Sequence, residues 1–236
     1  SIKDLKTPVD LAVIATPIAS ALQIVKECAD AGVGGVVIIS AGGKEIGQQG
    51  QQLEAAIKKE AARSGLRIIG PNCLGIVSSR AKLNASFAGQ MPIAGKMAFL
   101  SQSGAICSAI LDLSVQENIG FSYFVSLGSM LDVEFGDMID YLGGQPEVSS
   151  IVMYVESLTR FRNFMSAARA VSRVKPIIAL KAGRSAAGAL AAASHTGALA
   201  GEDAVYDAAL KRAGVLRVKT FEELFDCAEL VAKQPK

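Results

Sequence analysis

Short, uninterrupted apolar runs alternate with stretches of helical spacing along nearly the whole chain. Residues 11–16 (LAVIAT) form the first run, bounded by Asp10 and Pro17, and helical spacing follows over 19–31 until Gly32 and Gly34 end it. Residues 35–40 (GVVIIS) are a second run, followed by the glycine turn Ala41-Gly42-Gly43-Lys44 and a polar-faced helix over 51–64. Residues 66–69 are a third run, closing at Gly70-Pro71-Asn72. Strands with one wet face alternate apolar and polar residues. Continuous apolar strands separated by helices instead mean a parallel sheet covered on both faces, an α/β architecture.

Residues 77–94 break the rhythm: they are polar, with Ser78, Ser79, Arg80, Lys82 and Asn84, and have no clear period. We take them as the connection between a first domain, 1–76, and a second, 95–236. The second domain shows five strand–helix units. Strand 96–100 leads to helix 103–116, strand 121–126 to helix 134–142, and strand 150–155 to helix 160–172. Strand 176–180 leads, after a long loop of small residues, to helix 202–213. Strand 215–218 leads to helix 220–232, with Thr220 as N-cap and Glu223 completing a capping box. Five such units with right-handed crossovers predict a flavodoxin-like sheet of strand order 2-1-3-4-5.

Composition narrows the function classes. The chain of 236 residues is half apolar, which means a globular protein with a sizeable core. Its net charge is +2, with acids and bases interspersed, against the clustered basic stripe of a nucleic-acid surface. No apolar run approaches the roughly 18 residues of a membrane span, and no basic-then-apolar leader opens the sequence. Cys28, Cys73, Cys107 and Cys227 are scattered without a CxxC pair, so neither a disulfide framework nor a zinc site is expected, and a cytoplasmic setting is the default. The missing initial methionine and the early first strand lead us to expect a piece of a longer protein.

In a doubly wound sheet, ligands collect beyond the carboxyl ends of the strands, where the strand order reverses. Three segments are expected there. After the first strand of the second domain comes Ser101-Gln102-Ser103-Gly104-Ala105, opening a helix. The free N–H groups and positive dipole end suit a phosphate, and Gly104 allows close approach; a plain serine N-cap is the other reading of Ser103. After the third strand comes Glu156, which either faces solvent or accepts a hydrogen bond from one imidazole nitrogen, leaving the other as nucleophile. After the fourth comes the loop with His195, the only histidine, in Ala193-Ser194-His195-Thr196-Gly197-Ala198-Leu199-Ala200-Gly201. On the residues alone, His195 is either a group that caps or packs at a helix start or a phosphoryl carrier on a loop with hinges at Gly183 and Gly188.

Other signals are weaker. No GxxxxGK[ST] loop and no GxGxxG after a strand occur, and a lone histidine without a cysteine cluster does not predict a metal. Ser103 with His195 as base would make a hydrolase, but SQSGA lacks the GxSxG elbow. Lys181 and Arg184 follow a strand and could meet phosphates, though two bases there are more often solvated; Phe87, Met91, Met130 and Leu131 suit a pocket and core packing equally.

Gly70-Pro71-Asn72-Cys73-Leu74-Gly75-Ile76, Leu100-Ser101-Gln102-Ser103-Gly104, Glu156 and Ser194-His195-Thr196-Gly197-Ala198 together resemble, in order, the NDP-forming acyl-CoA synthetases. These include the ADP-forming acetyl-CoA synthetases and the α subunit of succinyl-CoA synthetase, and SHTGALAG is closest to the ADP-forming branch. The resemblance covers nearly the whole chain. It implies a partial Rossmann-like CoA-binding domain followed by a flavodoxin-like, five-stranded CoA-ligase domain. It implies that His195 becomes the phosphohistidine, that Glu156 orients it, and that Ser103, Gly104 and Ala105 hold the phosphate. Thr16, Pro17, Ser40, Ala41 and Asn72 would lie near CoA. The reaction would convert acyl-CoA, ADP and phosphate into acid, CoA and ATP, with ADP or ATP and Mg²⁺ held by an ATP-grasp part outside this chain, and the protein would be oligomeric. The family's CoA-binding domain begins with a further glycine-rich βα segment, and residues 232–236 resemble the linker into a third domain. Some members are fused to protein acetyltransferases and sense acyl-CoA without catalysis, often without the histidine; that is the alternative function.

Overall fold

The computed structural model describes residues 2–183 and 203–233. The first sheet contains β1 (Leu11–Ile14), β2 (Gly35–Ile38) and β3 (Arg67–Ile69), all parallel and in the order β1-β2-β3. Its crossovers are α1 (Ala21–Asp30) and α2 (Gln48–Ser64). Gly65, left-handed at φ 73°, closes α2, the geometry glycine allows without a Cβ clash. Ile14, Val36, Ile38 and Ile68 share a core with Val25 and Cys28 of α1 and Ile57 and Ala61 of α2. Both helices therefore cover one face. The other face is covered without helices: Val37, which alternation turns away from them, is fully buried and Ile69 packs against the core of the second sheet, while Val13 on the edge strand is 44 % exposed. A right-handed crossover to the adjacent strand, repeated in one direction, leaves every helix on the same side.

The second sheet has seven strands in the order β10-β9-β8-β6-β7-β4-β5. Five are the expected parallel strands: β6 (Ala94–Ser101), β7 (Phe121–Ser126), β8 (Ser150–Val155), β9 (Ile177–Lys181) and β10 (Leu216–Val218). Counted from β6, their order is 2-1-3-4-5, as the sequence predicts. The other two correct the view of residues 77–94 as featureless. β4 (Gly75–Ser78) and β5 (Leu83–Ser86) form an antiparallel hairpin, and β4 pairs antiparallel with β7 through Ile76–Val125 and Val77–Phe124. The hairpin covers an edge that β7 would otherwise present. Arg80 in its turn bonds Glu147 at 2.8 Å.

Five helices flank this sheet among the described residues: α3 (Gly104–Gln116), α4 (Phe135–Gly143), α5 (Phe161–Val171), α6 (Asp203–Arg212) and α7 (Phe221–Lys233). Successive strand residues feed opposite cores. Leu100, Met153 and Ala179 point to the side of α4, α5 and α6, while Phe99, Val152 and Ile178 point to that of α3 and α7. Apolar residues on both faces give these strands their uninterrupted runs. Phe99, Phe121 and Phe124 form an aromatic cluster, with Phe99 and Phe124 stacked at 5.0 Å. Thr220 Oγ1 accepts from Glu223 N at 3.1 Å, but the Glu223 carboxylate accepts from Lys219 N, one residue before the expected cap partner. Of the residues expected to form a linker, Ala232 and Lys233 still belong to α7, while 234–236 lie outside the described residues. Cys28, Cys73, Cys107 and Cys227 are free thiols. None of the described helices is long and apolar enough to cross a membrane.

The loop after β7 joins the two sheets. Leu131 N donates to Gly70 O at 3.0 Å and Val133 N to Ile68 O at 3.1 Å. The Asp132 carboxylate accepts from Ile68 N and from Arg67 Nε at 2.8 Å. Leu131 belongs to the core of the first sheet and Met130 to that of the second. These two side chains pack rather than line a pocket.

Candidate functional site

Where the two sheets meet, a cavity of about 360 Å³ opens at the carboxyl ends of β2, β6, β7 and β8. Its wall from the second sheet is Gln102, Ser103, Gly104 and Ala105 after β6, Gly128 and Ser129 after β7, and Glu156 after β8. Its wall from the first includes Ala41, Lys44, Glu45 and Asn72.

The start of α3 shows why this wall suits an anion. Ser103 is the N-cap, and its Oγ accepts from Ile106 N at 3.3 Å. Ser103 N in turn donates to Ser101 Oγ at 3.0 Å, and the first helical bond runs from Cys107 N to Ser103 O. Gly104 and Ala105 occupy the first two helical positions, whose N–H groups have no intrahelical acceptor. Both line the cavity, at the positive end of the helix dipole. The plain cap of Ser103 and an anion-ready turn thus coexist. The described residues do not demand glycine at 104: their nearest atom to a Cβ there would be Leu74 N at 3.6 Å, an ordinary van der Waals contact.

Glu156, half-buried, lines the same cavity as Ser103, Gly104 and Ala105. Its backbone N–H donates to Gln102 Oε1 at 2.7 Å. Ser157 N donates to the same oxygen at 2.9 Å, and Gln102 Nε2 donates to Ser157 Oγ at 3.2 Å. In the sequence, the only signal at Gln102 is its place between two serines at a strand end.

Of the residues expected near CoA, Ala41 and Asn72 line the cavity. Asn72 is left-handed at φ 55°, and its N–H donates to Ser40 O at 3.0 Å. Ser40, Thr16 and Pro17 lie at the same edge of the first sheet without lining the cavity. Ser40 Oγ donates to Thr16 O, and Thr16 Oγ1 bonds Ser20 Oγ at 2.8 Å. Lys44 and Glu45 were missed. Lys44 Nζ reaches across to Ser129 O at 2.9 Å, while Glu45 Oε1 accepts from Gly42 N at 2.7 Å. The buried Glu54 carboxylate accepts from Lys44 N at 2.9 Å, and burial pushes its pKa up. Gly43 permits that contact, since a Cβ there would lie 2.1 Å from Glu54 Oε1. Phe87 sits at the cavity, 63 % exposed, and Met91 does not line it.

His195 and Arg184 lie outside the described residues. Lys181 corrects the view of a solvated base. It is buried, its Nζ sits 4.5 Å from the Tyr206 ring centroid, and it donates to Ala182 O. Burial lowers its pKa, with Asp203 and Glu156 opposing the shift and Arg217 adding to it. Cys73 and Cys107 are no nucleophiles at neutral pH: burial pushes each thiol up to about 12. Among the described residues no group of His, Cys, Asp and Glu could hold a metal.

A family model described as the succinyl-CoA ligase like flavodoxin domain matches residues 94–231, and one described as a CoA binding domain matches 1–79. The chain belongs to the NDP-forming acyl-CoA synthetase family. Among its relatives in that family, the acetate–CoA ligase (ADP-forming) of Methanocaldococcus jannaschii is 46 % identical over all of this chain and 33 % of its own length. The acetate–CoA ligase (ADP-forming) II α subunit of Pyrococcus furiosus is 44 % identical over 97 % of this chain and 50 % of its own. An acetyl-coenzyme A synthetase from Ca. Korarchaeum cryptofilum, solved with phosphate and ADP, superposes on all of this chain and 51 % of its own with a TM-score of 0.96 at 39 % identity. The chain thus spans a third to a half of the length of these synthetases.

Proposed function

We propose that this chain is the CoA-binding and phosphate-relay part of an ADP-forming acyl-CoA synthetase. The supporting observation is the shared cavity, in which the start of α3, Glu156 and the Ala41 and Asn72 turns meet. In this reading a phosphate oxygen attacks the thioester carbonyl, and CoA leaves as the thiolate. The N–H groups of Gly104 and Ala105 stabilise phosphate charge throughout. An imidazole nitrogen of His195 then attacks phosphorus, and the carboxylic acid leaves as carboxylate. Glu156 accepts the hydrogen bond from the other ring nitrogen and holds the nucleophilic tautomer. A terminal oxygen of ADP finally takes the phosphoryl group, giving ATP. The nucleotide and its Mg²⁺ belong to an ATP-grasp part that this chain does not carry. Acyl phosphate and phosphohistidine are both energy-rich, so each transfer needs mainly alignment and anion stabilisation.

The test uses the complete protein with γ-labelled ATP and Mg²⁺. The expected result is an acid-labile, base-stable label on His195, absent from His195→Ala. No label on the intact protein rejects the proposal. Acyl-CoA binding by calorimetry, without ADP-dependent thioester cleavage, would instead indicate a sensing module. Thioester hydrolysis needing neither ADP nor phosphate would indicate a Ser103–His195 hydrolase.

A further inference from the structure

In the cavity wall, both amide atoms of Gln102 are hydrogen-bonded to the neighbouring strand's end. Gln102 is 8 % exposed, and its side chain makes three hydrogen bonds, all to the two residues that follow β8. Two backbone N–H groups converge on one atom of the amide, so that atom is the oxygen, and the NH₂ falls to Ser157 Oγ. Gln102 N also donates to Tyr154 O at 3.3 Å. The residue immediately before Ser103 is therefore bound to β8 from both its backbone and its side chain. The phosphate-ready turn and Glu156 sit on separate strands, and this amide joins them.

We propose that Gln102 is a positioning residue of the phosphate relay: its amide fixes the backbone of Glu156 relative to the start of α3, and its neutrality keeps the anion site free of an added negative charge. The proposal rests on the ligase reading. A carboxylate could accept the same two N–H bonds, with Ser157 Oγ turning to donate. It would also place a second negative charge beside Glu156, where phosphate must bind. An apolar side chain would remove the tie altogether and leave two inward N–H groups without an acceptor.

The complete protein is assayed for ATP formation from acetyl-CoA, ADP and varied phosphate, with CoA binding and thermal melting measured alongside. Gln102→Ala is expected to lower kcat about thirtyfold with the phosphate KM within about threefold of the parent, since alignment is lost and charge is not. Gln102→Glu is expected to recover kcat to within about threefold and to raise the phosphate KM about tenfold, an increase that shrinks at high salt. CoA affinity stays at the parent value in both. A filler of space would give neither split. Parent kinetics in Gln102→Ala, or one shared defect in both variants, overturns the proposal. Should the alanine variant fail to fold, a parent-like phosphate KM in Gln102→Glu overturns it alone. Labelling of His195 is read first in the parent: no label there sinks the ligase reading, whereas a normal label with unaltered variants sinks only the role of Gln102.

Discussion

The three-stranded sheet advances β1-β2-β3 in one direction, whereas the parallel part of the larger sheet reverses after its second strand. Both obey the same right-handed crossover rule. In the smaller sheet the rule stacks α1 and α2 on one face; the other is covered at Val37 and Ile69 but leaves Val13 exposed on the edge strand. In the larger one it sends α3 to one face and α4 and α5 to the other, burying the strands twice over. The reversal also parts the loops after β6 and β8, and between them lie Ser103, Gly104 and Glu156. One sheet thus supplies a crevice. The other supplies the turns of Ala41 and Asn72 that close its far side. A strand order, rather than any single residue, separates the two roles.

The sharpest way to break this contrast is at the crevice. Glu156→Gln should lower ATP formation by the complete protein about a hundredfold or more, if the carboxylate orients the imidazole. An unchanged rate would remove the crevice from the chemistry. The core comes next. Phe124→Ala should cost about 3–5 kcal/mol in denaturant unfolding, because a stacked ring buried in the larger sheet leaves a cavity. Val13→Ala, on the exposed edge strand of the smaller sheet, should cost under about 0.5 kcal/mol. Equal costs would show that the two sheets are covered alike. Gly104→Ala should fold normally, since its Cβ would make only ordinary contacts with Leu74, and raise the phosphate KM about tenfold if anions approach that N–H closely. Ser103→Ala should lose about 1 kcal/mol of stability through the cap alone.

The smallest effect concerns the hairpin that only the larger sheet carries. Arg80 holds the Glu147 carboxyl down to about 2. A depressed acid contributes its stability above its unfolded pKa and loses it as pH falls through the folded value. Hydrogen exchange in β4 and β5 should therefore be slowest relative to β8 above about pH 4.5 and should gain on it as pH falls toward 2. Arg80→Ala should abolish that difference. A pH-independent ratio in the parent would show that the ion pair does not anchor the hairpin.

Much of this was legible because strand burial writes itself into sequence. The runs at 121–126 and 150–155 match β7 and β8 residue for residue, since both faces of each are largely buried. The hairpin was illegible for the opposite reason. GIVS and LNAS are four-residue strands with serine at their ends, and only pairing with β7 makes them strands. Lys181 looked solvated because a cation at a strand end usually is; Tyr206, far along the chain, supplies the ring that covers it. Gln102 carried no pattern at all, since its partners sit more than fifty residues away.

The order of apolar runs and helices by itself determined an α/β chain with a reversing sheet, because right-handed crossovers leave few other ways to bury those strands. It also determined a helix start at Ser103 able to meet an anion, since a cap and a glycine act locally. The tertiary structure alone decided that the loop after β7 would dock the second sheet on β3, bringing Asn72 and Ala41 opposite Glu156. Contacts of that kind depend on where distant backbones come to rest, and no local spacing encodes them.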